Sequence, residues 1–163
     1  MIIRTIEILE KLRALHEEIY ALSEVKREHI IAGDAQALSE DVKKEWELLR
    51  QAAELEDQRS RITTDFARAN GLDEKSVTIY DVAQAAGEEQ KAQLEKTAGE
   101  LRDILYKQKQ INEENRGLIE LHLEYTDFMT NTFLKDPQIS NIYGNSGAEI
   151  DPDNGKGIID NKV

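Results

Sequence analysis

Apolar residues recur at intervals of three and four along most of the chain, which is the repeat of one face of an α-helix. The first such run extends from Ile2 to Ile31, and charged residues fall between its apolar positions. The pattern predicts one long amphipathic helix here, with a buried stripe of Ile3, Ile6, Leu9, Leu12, Leu15, Ile19, Leu22, Val25 and Ile30.

A stop signal and a start signal follow this helix within three residues. Gly33 is typical of the position that ends a helix, and Asp34 is typical of the residue that caps the next one. So short a link predicts that the second helix runs antiparallel to the first. We expect it to extend from Ala35 to about Asn70, with Trp46 at the edge of a stripe of Leu38, Val42, Leu49, Ala52, Leu55, Ile62 and Phe66.

The helical repeat breaks between Leu72 and Gly87 and then resumes. Ser76–Tyr80 looks extended, and Asp81–Ala86 is long enough for two turns of helix. A third long helix is predicted from Glu88 to about Lys135, where Asp136–Pro137 ends it. Its stripe consists of Leu94, Ala98, Leu101, Leu105, Gln108, Ile111, Asn115, Leu118, His122, Tyr125 and Met129.

Residues that favour turns dominate the chain after Pro137, with isolated apolar residues between them. The predicted fold class is therefore all-α: an elongated antiparallel bundle of three long helices, a short helical or extended connection, and a flexible or partner-ordered C-terminal tail. We predict two regions, a helical bundle domain over residues 1–135 and a tail over residues 136–163.

Several polar residues occupy positions that a simple bundle would fill with apolar ones. In the third long helix they are Gln108, Asn112 and Asn115, and in the second they are Glu45 and Arg59. Two interpretations are open. The amides either hydrogen-bond across to Glu45, Glu56 or Arg59 and set the register, or they only border the core.

Helix length suggests where a partner would bind. At 1.5 Å per residue the three long helices measure about 45, 55 and 70 Å, so the last is the longest. Its final turns carry a second apolar row formed by Ile119, Leu123, Phe133 and Leu134. A second row beyond the length of the other helices needs a cover, which is the chain's own tail, a second copy or another protein.

Composition excludes several classes of protein. The chain has 21 basic and 33 acidic residues and a net charge of −12, which disfavours nucleic-acid binding because phosphate neutralisation needs a basic surface. It has no cysteine, so disulfides and zinc–thiolate sites are excluded. No apolar run approaches the ~18 residues of a membrane span, and the N-terminus does not resemble a secretory signal. We therefore expect a cytoplasmic protein with no membrane insertion.

The motifs of metal and enzyme sites are missing or incomplete. His16, His29 and His122 stand alone in the sequence, without the spacing of a metal-binding motif. Asp151–Gly155 is similar to the start of a calcium loop, but its glycine comes one residue early and the twelfth position is Lys162. We therefore predict no catalytic residue, no metal site and no cofactor.

Taken together, the chain resembles the FlgN family of flagellar export chaperones over essentially its full length. The resemblance rests on the Leu-rich first helix and on the order and spacing of segments that are weak individually: Ile30–Leu38, Glu45–Leu49, Leu55–Arg59, Asn112–Ile119, Ile142–Gly144 and Ile158–Val163.

The resemblance implies a chaperone of the flagellar type III export system that keeps the hook–filament junction proteins unpolymerised and delivers them for secretion. It implies those junction proteins as partners, with the export gate or its ATPase complex as a further candidate. Family members bind clients through the C-terminal part of the chain. The corresponding residues here are Leu118, Ile119, Leu123, Tyr125, Phe128, Met129, Phe133, Leu134, Ile139, Ile142 and Tyr143.

A second hypothesis comes from another class of protein. The same apolar row would equally suit a structural helical bundle or adaptor that self-associates, for example as a homodimer, and has no role in export.

Overall fold

Four α-helices make up the part of the chain that the structure describes. The structure is a computed structural model that describes the backbone of residues 1–134 and the side chains as far as Phe133. The helices are α1 (Ile2–Ala32), α2 (Ala35–Asn70), α3 (Ile79–Gln84) and α4 (Glu88–Leu134). The all-α class is thus confirmed over these residues.

The ends of α1 and α2 are formed by the residues that the sequence indicates. Gly33 has φ 68° and ψ 21°, the left-handed conformation that glycine adopts without steric cost, and it ends α1. The side chain of Asp34 then accepts a hydrogen bond of 2.9 Å from the backbone N–H of Ala37, which starts α2. Gly71 ends α2 with φ 68°. The predicted bounds of α2 are confirmed.

The connection between α2 and α4 contains a helix that begins earlier than expected. Thr78 caps α3: its backbone N–H donates to the Asp81 carboxylate at 2.6 Å, and its hydroxyl donates to the same oxygen at 2.7 Å. This capping box starts the helix at Ile79, so Ile79 and Tyr80 are helical. The prediction that Ser76–Tyr80 is extended is wrong at these two residues and at Ser76, which lies in a turn where its backbone N–H donates to the carbonyl of Asp73 at 3.1 Å.

The hydrophobic core contains residues from all four helices. Its largest contribution comes from α1, and α2, α3 and α4 add one buried residue each: the set is Ile6, Ile8, Leu9, Leu12, Ala52, Ala83 and Leu94. The short α3 therefore contributes Ala83 to a core that it shares with the other three helices. All of these residues belong to one compact unit, Met1–Ile119.

Helix directions follow from the contacts between side chains. Lys26 of α1 contacts Glu45 of α2 at 2.7 Å, and the later His29 contacts the earlier Asp41 at 2.6 Å, so α1 and α2 are antiparallel. Contacts between α1 and α4 instead ascend together. Gln93 donates to Glu10 at 3.2 Å, and Gln108 meets His16 at 2.8 Å, so these two helices run in the same direction.

The polar residues of α4 hydrogen-bond across to α1, and their predicted partners on α2 are wrong. Besides the Gln108 contact, the Ser23 hydroxyl donates to Asn112 at 3.2 Å, and the Asn115 amide donates to the backbone carbonyl of Ser23 at 2.8 Å. The small side chain of Ser23, which is fully buried, leaves room for these amides. Of the predicted partners on α2, Glu45 binds Lys26 and Arg59 binds Glu56 on its own helix at 2.5 Å.

Part of the predicted buried stripe is exposed. The side chains that were predicted to be buried but are exposed include Ile3, Val25, Val42, Leu49 and Leu105, whose exposed fractions range from 37% to 62%. Thr5, Ile8 and Ser23 are buried instead. On α1 the reason is geometric, because this helix contacts both α2 and α4. Its buried face is therefore wider than a single line of residues spaced three and four apart, and it is rotated relative to the predicted line.

A second unit begins at Glu120 and is described as far as Leu134. It is treated by itself below. The predicted tail, residues 136–163, lies outside the described residues, so the division at residue 135 stays a prediction.

Candidate partner-binding site

The described part of the second unit is a helix with a high proportion of exposed apolar side chains. Over 14 positions from Glu120 to Phe133, five large apolar residues are between 54% and 64% exposed: Leu121, Leu123, Tyr125, Phe128 and Phe133. Single exposed apolar residues are ordinary on a protein surface. At about 3.6 residues per turn, Leu121, Tyr125 and Phe128 share one face of the helix and Phe133 borders it, whereas Leu123 lies on the opposite side. The shared face is a patch of the kind that marks interaction surfaces.

The structure places the predicted partner-binding residues on α4 with differing exposure. Leu123, Tyr125, Phe128 and Phe133 are exposed, and Met129 is half-buried. Leu118, also half-buried, and Ile119, 39% exposed, belong to the first unit. The side chain of Leu134 and the residues Ile139, Ile142 and Tyr143 lie outside the described part of the chain. Their binding role stays a prediction.

Two expectations about this region need correction. His122 and Tyr125 were predicted on the buried stripe, but both are exposed. Leu121, which is 61% exposed, was absent from the predicted site. A signal for it exists: it stands three residues after Leu118 and four before Tyr125, so it continues the helical repeat.

Thr126 and Thr132 of this segment satisfy their hydroxyl donors within the helix. Thr126 donates its hydroxyl proton to the carbonyl of His122 at 2.8 Å, and Thr132 donates to the carbonyl of Phe128 at 2.8 Å. These hydroxyls therefore place little demand on a partner, and the apolar side chains are the main groups that a partner would cover.

Charge on the same segment is of one sign. Glu120, Glu124 and Asp127 are its ionisable acids, and there is no Lys or Arg between residues 117 and 134. Elsewhere on α4 acidic residues face basic ones one turn away, as for Lys109 and Glu113 at 3.9 Å. The exposed apolar patch is thus accompanied by carboxylates alone.

Two open clefts in the first unit were considered as alternatives. One, of about 310 Å³, is lined by Leu9, Ile79, Ala98, Leu101 and Leu105, with Glu56, Arg59 and Arg102 beside them. The hydrogen bond from Arg59 to Glu56 is the main reason that the pKa of this guanidinium is raised, so the Arg59 cation is already paired. The other, of about 370 Å³, lies between α1 and α2. Neither holds a nucleophile beside a base.

The histidines do not assemble a metal site in the part of the chain that the structure describes. His16 contacts Gln108, and His29 lies 2.6 Å from the buried Asp41, so neither stands alone as the sequence suggested. Among residues 1–134 no group of three or more His, Cys, Asp or Glu side chains is placed to hold a metal ion. The calcium-like Asp151–Gly155 lies outside the described residues.

None of the helices within residues 1–134 combines the length and the apolar character that crossing a membrane requires.

The fold and its exposed patch define the class: over the described residues, an all-α protein with an exposed apolar face on its last helix. Comparison with known proteins identifies the family. The sequence model of the FlgN protein family matches residues 1–149, so the chain belongs to the FlgN family, and its predicted membership is confirmed. This is a family of flagellar export chaperones, not of enzymes.

A curated relative is similar over most of its length. The chain is 33% identical over 120 residues to the uncharacterized protein YvyG of Bacillus subtilis (strain 168), which covers 74% of this chain and 72% of that protein. No solved structure matches the chain significantly.

Proposed function

We propose that this protein is a cytoplasmic chaperone of the flagellar type III export system whose clients are the hook–filament junction proteins. The chaperone holds these subunits unpolymerised and delivers them to the export gate or its ATPase complex. Family membership supports the general role. The observation that carries the proposed site is the patch of exposed apolar residues formed by Leu121, Tyr125 and Phe128, with Phe133 beside it.

The physical basis is the covering of apolar helix faces. Subunits that polymerise through helices expose apolar stripes before assembly, and an amphipathic helix can cover such a stripe. Burying apolar side chains stabilises the complex by roughly 25 cal/mol per Å² of apolar area, from which the cost of association is subtracted. The difference between these two free energies is modest, and a modest affinity suits a chaperone that must later release its client.

A double substitution tests the site on α4. Tyr125→Lys/Phe128→Lys places two charges in the patch, and each should cost about 2 kcal/mol or more of binding free energy if the residue is central to the interface. Pull-down and titration calorimetry against purified junction proteins measure the loss. Both side chains are at least 60% exposed, so the helical circular dichroism should stay unchanged.

Ile3→Lys/Ile31→Lys is the matched control, because these two apolar residues of α1 are 62% and 60% exposed outside the patch. Equal binding by the control, the double variant and the wild type would refute the proposed site. The absence of binding to every junction protein would refute the proposed function itself.

Truncation after Lys135 tests the remaining predicted residues, Ile139, Ile142 and Tyr143. We propose that they add to the client interface, so the truncated chain should bind more weakly than the full chain. Unchanged affinity would confine the site to α4.

A further inference from the structure

Carboxylates accompany the exposed apolar patch of the second unit in a regular way. Glu120, Glu124 and Asp127 directly precede Leu121, Tyr125 and Phe128 in the sequence. Their separations of four and three residues place the three acids in one row beside a row of the three apolar residues. The segment is therefore an apolar row with an acidic border.

The border is unusual because two of its three acids have no basic residue one turn away on the helix. Glu124 and Asp127 have no Lys or Arg three or four residues away in either direction. The two acids are themselves three residues apart, and like charges at that separation destabilise a helix. The last turn of α4, where the helix dipole is negative, contains no basic residue either.

The surface of the first unit shows the contrasting arrangement. On α4 itself, Lys96 faces Glu100 at 3.9 Å, and on α2, Arg61 faces Asp57 at 2.7 Å. Repulsion between Glu124 and Asp127 beside an exposed apolar row is a local cost, and features of this kind are expected at functional sites.

We propose that the segment bound here is an amphipathic client helix whose apolar stripe is bordered by Lys or Arg. This inference rests on the proposed chaperone function and specifies the chemistry of its partner. When a helix lies on the apolar row, its flanking positions come next to Glu124 and Asp127, as the flanking positions of a coiled coil do. Basic residues there relieve the repulsion and accelerate encounter.

Charge argues against the two other occupants. A second copy that pairs antiparallel through the same surface would bring each acidic row against another acidic row, since the perpendicular twofold axis keeps both rows on one edge of the interface. The chain's own residues 136–163 contain two basic and five acidic residues, so their net charge has the same sign as the patch.

The first test measures association rates of the full chain with purified junction proteins, from about 50 to about 500 mM NaCl. Glu124→Gln/Asp127→Asn removes two charges from the border. Glu100→Gln/Glu113→Gln, the control, removes two from paired positions of the same helix, so the net charge changes equally. We expect the border variant to associate about tenfold more slowly at low salt, with the difference shrinking at high salt, and the control to match the wild type.

Equal rates for the two variants, or rates independent of salt, would overturn the proposed client chemistry and leave the chaperone function standing.

The second test needs no client. Two synthetic amphipathic helical peptides share one Leu stripe, bordered by Lys in one and by Glu in the other. We expect the full chain to bind the Lys-bordered peptide at least about tenfold more tightly. Equal binding of both peptides overturns the inference, as does a homodimer in light scattering that neither peptide dissociates. If no junction protein binds but the Lys-bordered peptide does, the proposed function fails and the inferred chemistry stands.

Discussion

The ion pair between Lys26 and Glu45 should contribute measurably to the stability of the first unit. The Lys26 ammonium lies 2.7 Å from both oxygens of the Glu45 carboxylate, and the two side chains are only 12% and 16% exposed. The perturbation is Lys26→Met, which keeps the aliphatic stem that packs between α1 and α2 and removes the charge. It leaves the Glu45 carboxylate largely buried without its cation.

The expected cost follows from the geometry. At 2.7 Å the Coulomb attraction is about 6 kcal/mol for an effective dielectric constant of about 20, and desolvation of both ions offsets most of it. Removing one partner costs up to about 1 kcal/mol for exposed pairs and about 3–5 kcal/mol for fully buried ones. This pair is neither fully exposed nor fully buried, so we expect its loss to lower the free energy of unfolding by about 2–3 kcal/mol.

Urea denaturation followed by circular dichroism at 222 nm measures this loss. The double variant Lys26→Met/Glu45→Leu should recover most of it, because no unpaired charge remains. The control, Arg50→Met, breaks the exposed contact of 2.7 Å with Glu47 and should leave the midpoint unchanged. A loss under about 0.5 kcal/mol for Lys26→Met, or a double variant no more stable than the single one, would show that the pair is not held as described.

Three further predictions concern the first unit. Leu94→Ala, at a fully buried residue, should cost about 3–5 kcal/mol in the same urea assay, and a cost near zero would contradict its place in the core. Gly33→Ala, at φ 68°, should lower the melting temperature by straining the left-handed end of α1; an unchanged value would contradict that conformation. Hydrogen bonds from Thr78 lower the pKa of Asp81. The Asp81 contribution to α3 should therefore be complete above about pH 4 and disappear as the pH falls through the lowered pKa. Amide exchange at Thr78 measures this loss, and Asp81→Asn should abolish the pH dependence.

The helices and their ends could be predicted because their signals are local. Gly33, Asp34 and Gly71 act on residues one turn away, so their types alone indicate where α1 ends and where α2 begins and ends. Thr78 and Asp81 form the same kind of local signal, and reading it as a capping box would have placed the start of α3 correctly.

The partners of buried polar residues could not be predicted in the same way. Periodicity shows that Asn115 lies on the buried side of α4, but α1 and α2 are both near that side, and only the rotation of α4 selects Ser23 of α1. The candidate site was predictable in position, since the apolar repeat continues past Leu118. Its exposure at Tyr125 could not be predicted, because a stripe has the same spacing whether or not another helix covers it.

The exposure of Trp46 has a practical consequence for solution experiments. This is the only tryptophan of the chain, and it is 70% exposed on α2. Its fluorescence should therefore resemble that of hydrated indole in the folded protein and change little on unfolding. A blue shift on adding a partner would report a molecule seated on α2 over this indole, so each titration carries an internal record of whether that helix is contacted.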